Sequence, residues 1–90
     1  MKKTIITVVG KDTVGIIARV CQYLADNNCN ILDISQTITG GIFNMMMIVD
    51  MTGAGKRFSD IQKDLTAVGE SIGVVIHVQN EEIFDMMHRI

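Results

Sequence analysis

The chain has 90 residues, with 8 Lys+Arg against 10 Asp+Glu for a formal net charge of −2, and it is 48% hydrophobic but only 4% aromatic. A domain of this size buries roughly 60–65% of the surface its unfolded chain exposes, which leaves little room for an elaborate multi-site enzyme. Seven Met, no Trp, no Pro and a mean hydropathy of +0.32 exclude disorder, collagen-like repeats and a disulfide scaffold, and point to apolar surface that a partner covers.

The start, MKKTIITVVGKD, has the basic opening of a signal peptide. Its apolar run covers only Ile5 to Val9, contains Thr7 and ends in Gly10-Lys11-Asp12 without a small-residue cleavage site. It therefore predicts a strand over 3–9 and a cytoplasmic protein. The loop Gly10-Lys11-Asp12-Thr13-Val14-Gly15 follows, with Asp12 or Thr13 placed to cap a helix. Ile17, Val20, Cys21 and Leu24 recur at i, i+3, i+4, i+7 and form that helix's buried stripe. Asn27-Asn28 supplies a left-handed residue to end it.

Residues 30–39 (NILDISQTIT) predict a second strand with Leu32, Ile34 and Ile38 on one face and Asp33, Ser35, Thr37 and Thr39 on the other. Gly40-Gly41 makes a hairpin turn into a third strand, 42–51. Phe43, Met45, Met47, Val49 and Met51 share one of its faces; Ile42, Met46 and Ile48 populate the other. A strand apolar on both faces is central in its sheet or has its second face covered. Ser59-Asp60-Ile61-Gln62 has the form of a capping box opening a second helix with the stripe Ile61, Leu65, Val68 and Ile72, ended by Gly73. Val74–Val78 reads as a fourth strand. The last residues, NEEIFDMMHRI, read as a short helix capped by Asn80, with the stripe Ile83, Phe84, Met87 and Ile90.

The order βαββαβ predicts an α+β fold, the ferredoxin-like sandwich: a four-stranded antiparallel sheet with both helices on one face. Residues 1–80 form the domain, and 81–90 a C-terminal helix packing on that domain or on its dimer partner. The other sheet face stays open, and much of the apolar excess falls there.

The fold does not dictate function, so the residues must. Cys21 and Cys29 fit no metal or redox spacing and read as free thiols, and His77 and His88 lack ligands at metal spacing. No transmembrane stretch approaches ~18 apolar residues. Basic residues cluster no further than Lys2-Lys3 and Lys56-Arg57, and Phe43 is alone as a strand aromatic, which argues against nucleic acid. GKDTVG matches neither nucleotide-binding glycine motif. No nucleophile–base pair is evident; catalytic residues, metal and cofactor are all read as none. A glycine-flanked loop leading into a helix N-terminus favours a small anionic group such as a carboxylate, or is simply a capped strand-to-helix turn.

The string V-V-G-K-D-x-x-G-I-I-A, with Asn30-Ile31 about 15 residues later, resembles the ACT domain, a family of small ligand-sensing modules of amino-acid metabolism. Asp33-Ile34-Ser35-Gln36-Thr37 and the short C-terminal helix look most like its bacterial stand-alone members. Many ACT loops carry Pro before the second Gly; this chain has Val14. The resemblance implies a non-catalytic, amino-acid-binding regulatory homodimer whose site lies where the first loop and helix of one subunit meet strand 2 of another. By position that site takes Lys11, Asp12, Val14, Gly15, Ile16, Cys29, Asn30 and Ile31. Asn30 offers both a donor and acceptors to an amino acid. The alternative is an interaction module whose open apolar face binds another protein without any small molecule.

Overall fold

A computed structural model describes residues 3–11 and 14–80. It has the order β1 (Lys3–Lys11), α1 (Ile16–Asp26), β2 (Asn30–Thr39), β3 (Ile42–Asp50), α2 (Phe58–Ile72) and β4 (Val74–Asn80). The strands form one sheet in the order β2-β3-β1-β4, with every neighbouring pair antiparallel. This is the ferredoxin-like arrangement that the element order predicts. The C-terminal helix expected over 81–90 lies outside the described residues, as do Asp12 and Thr13.

The core sits between one sheet face and the helices. Ile6 and Val8 of β1, Phe43, Met45, Met47 and Val49 of β3, and Val74, Ile76 and Val78 of β4 meet Ile16, Val20 and Leu24 of α1 and Ile61 and Leu65 of α2. Alternate burial along β3 is the period-2 signal of a strand packed on one side, and β3 lies inside the sheet between β2 and β1. The methionine run alternates accordingly: Met45 and Met47 are buried and Met46 is exposed.

Two helix starts differ from the sequence expectation. α1 begins at Ile16, and its N-cap is Gly15 at φ 90, not Asp12 or Thr13. Left-handed backbone suits glycine, so the chain turns there and the helix cannot start earlier. The stripe shifts with it to Ile16, Val20 and Leu24, leaving Ile17 and Cys21 half-buried. α2 begins at Phe58 with Arg57 as N-cap, so Ser59 lies inside the helix and its capping box does not form. Half-buried Phe58 packs against the core and draws the first turn two residues earlier.

The expected stops hold. Asn28 (φ 57) follows α1, and Gly73 (φ 77) ends α2. Gly40 and Gly41, at φ 58 and 80, make the two-residue turn of type I′ sense that matches strand twist. β2 departs in one respect: the pairing skips from Ile31 to Asp33, so Leu32 is an extra, unpaired residue. Ile34 and Ile38 then face the same side as their partners Met47 and Phe43.

Candidate functional site

Of the expected site residues, Ile16 lies in α1 and Asn30 and Ile31 in β2, and the connection between these elements is tightly held. The Asn27 side-chain amide donates to the Tyr23 carbonyl at 2.9 Å, and that of Asn28 donates to the Gly53 carbonyl at 2.9 Å. The second bond ties the start of β2 to the loop after β3. The Tyr23 hydroxyl donates to Asp64 at 2.5 Å, and the Lys56 ammonium reaches the same carboxylate oxygen at 2.7 Å. Lys56 also lies 5.8 Å from the centre of the Tyr23 ring. The contact with Lys56 and then that with Tyr23 hold the Asp64 carboxyl below its usual range, while burial and then the neighbouring carboxylate push the Tyr23 phenol up. Together these contacts pin α1, α2 and the β3–α2 loop at the end of the molecule where β2 begins.

The expected residues fall into two groups. At the first loop, Lys11 ends β1 opposite Ile42, Val14 is fully exposed, and Gly15 is exposed at the head of α1. Ile16 is buried in the core, so its side chain does not face a ligand at the loop. Gly15 has no side chain, and no side-chain hydrogen bond caps α1 there. At the other group Asn30 is exposed, Ile31 is half-buried, and Cys29 is buried with its thiol donating to the Asn27 carbonyl at 3.7 Å. Burial pushes both the Cys29 and the Cys21 thiols up, away from the nucleophilic thiolate.

Within one subunit these groups do not meet. Lys11 pairs at the Ile42 end of β3 and Asn30 pairs at the Asp50 end. Eight strand steps at ~3.4 Å separate the two ends by about 27 Å. Grooves of about 550 Å³ between α2 and β4 and about 250 Å³ over Thr7, Ser35 and Asn44 contain none of the expected site residues.

Sequence reasoning passed over the exposure of β2. Ile34 and Ile38 have the alternation of core residues, yet they are 42% and 59% exposed, and Leu32 is 41% exposed. Apart from Ile31, every residue of this edge strand is exposed. The hairpin pattern sets pairing with β3, but only the sheet order puts β2 on the outside, beyond the reach of the helices. Among the described residues no group of three His, Cys, Asp or Glu side chains is placed to hold a metal ion, and no helix is long and apolar enough to cross a membrane.

These features define a small ferredoxin-like module with a glycine-headed helix and an uncovered edge strand. Residues 2–79 match the ACT domain family. A UPF0237 protein of Bifidobacterium longum is 62% identical over 90 residues, 100% of both chains, and one of Methanocaldococcus jannaschii is 47% identical over the same span. The structure of an ACT domain protein from Streptococcus pneumoniae superposes with a TM-score of 0.82 at 39% identity, covering 93% of this chain and 94% of that one. The regulatory subunit of aspartate kinase from Thermus thermophilus shares the fold, with a TM-score of 0.66 at 23% identity over 87% of this chain and 50% of that one. The chain belongs to the ACT domain family.

Proposed function

We propose that this protein is a non-catalytic regulatory module that binds an amino acid as a homodimer, in a site shared by two subunits. The observation that carries the reading is β2: a ten-residue edge strand with Leu32, Ile34 and Ile38 uncovered. A long, apolar, unpaired edge is an association surface. Antiparallel pairing of β2 with its own copy, about an axis between Ile34 and Ser35, sets Asn30 of the partner subunit opposite Thr39. Thr39 lies in the row Thr39–Ile42–Lys11 at the loop end of the sheet. Three inter-strand steps, about 14 Å, then separate β1 from the partner's β2, against about 27 Å along one subunit. An amino acid carries its ammonium and carboxylate on one carbon, so it meets both sides only where the first loop and the Asn30 side chain reach into that gap. Its carboxylate meets the amides and positive dipole end at Gly15 and Ile16, and its ammonium meets the Asn30 carbonyl oxygen of the partner subunit. The regulatory role of the aspartate kinase subunit that shares the fold agrees with this reading.

Thermal-shift screening against the twenty amino acids, with light scattering, tests it. The expected result is a dimer at micromolar concentration and a raised melting temperature with one or a few amino acids. Ligand at 100 times its Kd stabilises by about 2.7 kcal/mol. Asn30→Ala abolishes the shift, and Ile34→Lys with Ile38→Lys gives a monomer. A monomeric wild type, or no shift at millimolar ligand, refutes the reading.

A second reading, a protein-interaction module without a small ligand, is favoured by one patch. Val9 (42% exposed), Ile42 (45%), Met46 (40%) and Val75 (57%) lie on the sheet face away from the helices. A stoichiometric protein partner retained without any amino acid supports it.

A further inference from the structure

The sheet face turned away from α1 and α2 is covered at one end and bare at the other. Along β1 it presents Ile5, Thr7 and Val9: Ile5 is 6% exposed, Thr7 half-buried and Val9 42% exposed. On β3 half-buried Ile48 lies beside Ile5, Met46 and Ile42 are exposed and Asn44 between them is half-buried, while β4 runs from half-buried Gln79 to exposed His77 and Val75. The pairings Ile48–Ile5–Gln79, Met46–Thr7–His77 and Asn44–Val9–Val75 place these residues in successive rows across the same three strands. An uncovered face has no reason to bury Ile5 near one end of β1 while Val9 near the other is 42% exposed. The buried residues of α1 and α2 belong to the core on the opposite face, so the helices do not supply this cover.

Two pieces of chain leave the sheet beside the buried row. One leads into Lys3 and the other out of Asn80. Residues 81–90 follow Asn80, whose partner Thr4 adjoins the Ile5–Gln79 pair. Ten residues extend about 15 Å even when helical. Their sequence, EEIFDMMHRI, spaces Ile83, Phe84, Met87 and Ile90 as one apolar stripe. We propose that the row Ile48–Ile5–Gln79 is a docking surface for residues 81–90 of the same chain. The C-terminal segment then divides the open face, covering its first row and leaving Val9, Ile42, Met46 and Val75 as the part available to another molecule. This inference is independent of any amino-acid ligand.

Solution NMR of the full chain, with isoleucine δ-methyl labelling, tests it directly. Nuclear Overhauser contacts are expected from the Ile5 and Ile48 methyls to the Phe84 ring, and they persist in mixtures of labelled and unlabelled chains that select contacts within one chain. A gadolinium relaxation agent in solution is expected to act several-fold more weakly on Ile5 than on Ile42, and a chain ending at Asn80 brings Ile5 to the level of Ile42. Phe84 contacts only to Ile76 and the α2/β4 groove, contacts only between chains, or no Phe84 contact to Ile5 or Ile48 overturns the proposal. The methyl–ring contacts are read on the intact chain and decide the matter even if the shortened chain does not fold.

Discussion

Gly69→Ala sets two effects of opposite sign against each other. Replacing a helical glycine by alanine gains about 1 kcal/mol from helix propensity alone. Gly69, however, is the buried point where α2 crosses β4. A Cβ added there falls 2.7 Å from the Val74 carbonyl oxygen and 3.0 Å from Ile76 Cγ1. Ordinary carbon–oxygen contacts lie near 3.3–3.6 Å, so a gap of about half an ångström or more must open. The obstacle is backbone, in a residue paired with Gly10 of β1, and it cannot rotate aside as a flexible side chain would. The helix must lift instead, loosening Ile61 and Leu65, both fully buried on the same face. Overpacking of this kind costs about 1–3 kcal/mol. With a backbone obstacle the cost lies at the upper end, for a net loss of about 1–2 kcal/mol after the propensity gain. The melting temperature then falls by about 5–15 °C. Urea unfolding followed by far-UV circular dichroism, at fixed protein concentration because association shifts apparent stability, measures the difference. Gly55→Ala, where nothing lies within 4 Å of an added Cβ, is the reference and is expected within about 0.5 kcal/mol of wild type. A Gly69→Ala midpoint equal to or above wild type, with unchanged slope, refutes the packing argument.

Three further outcomes follow from the tie at Tyr23, Lys56 and Asp64 and from the turn after α1. Because the folded Asp64 carboxyl is held below the ordinary carboxylate range by Lys56 and then Tyr23, its contribution to stability is full above about pH 4 and is lost as pH falls through the folded midpoint. Lys56→Gln removes the leading cause, so the Asp64 midpoint rises towards that range in a carbon-13 NMR titration and less stability is lost on acidification. Tyr23 is the chain's one tyrosine, and its raised pKa means that tyrosinate absorbance of the native protein appears only well above pH 10; appearance near 10 refutes the burial and the Asp64 contact as causes. Asn28→Ala loses both a residue tolerant of φ 57 and the bond to the Gly53 carbonyl, for about 2 kcal/mol by urea unfolding, while Asn28→Gly recovers roughly the conformational half.

Most of the fold was legible because its signals are local. Gly40-Gly41, Gly73 and Asn28 act through their own backbone angles, and the alternation of β3 reports its own two faces. The misplaced helix starts have a physical reason too. A capping side chain is one option among several for a first turn, and glycine geometry at Gly15 and core packing of Phe58 outweighed Asp12, Thr13 and Ser59. The bulge at Leu32 was invisible because an extra residue changes pairing with β3 without disturbing the apolar count. The candidate site was legible only as two separate motifs. Lys11–Ile16 and Asn30–Ile31 stand out as motifs, but no spacing within one chain reveals that the sheet sends them to opposite ends.

The two edges of the sheet are not equivalent, and this bears on how assembly ends. On the β4 side, the Val78 carbonyl already accepts a bond from the Gln62 side chain at 2.7 Å, and α2 crowds the Val74 carbonyl at Gly69. On the β2 side every residue but Ile31 is exposed, and no such cover is seen among the described residues. Joining unlike edges repeats without limit, because every added copy offers the next one the same open edge, and the product is a fibre. Joining β2 to β2 consumes both open edges at once and closes on itself. A helix side chain bonded to one carbonyl therefore biases the protein toward a finite pair and away from a growing ribbon.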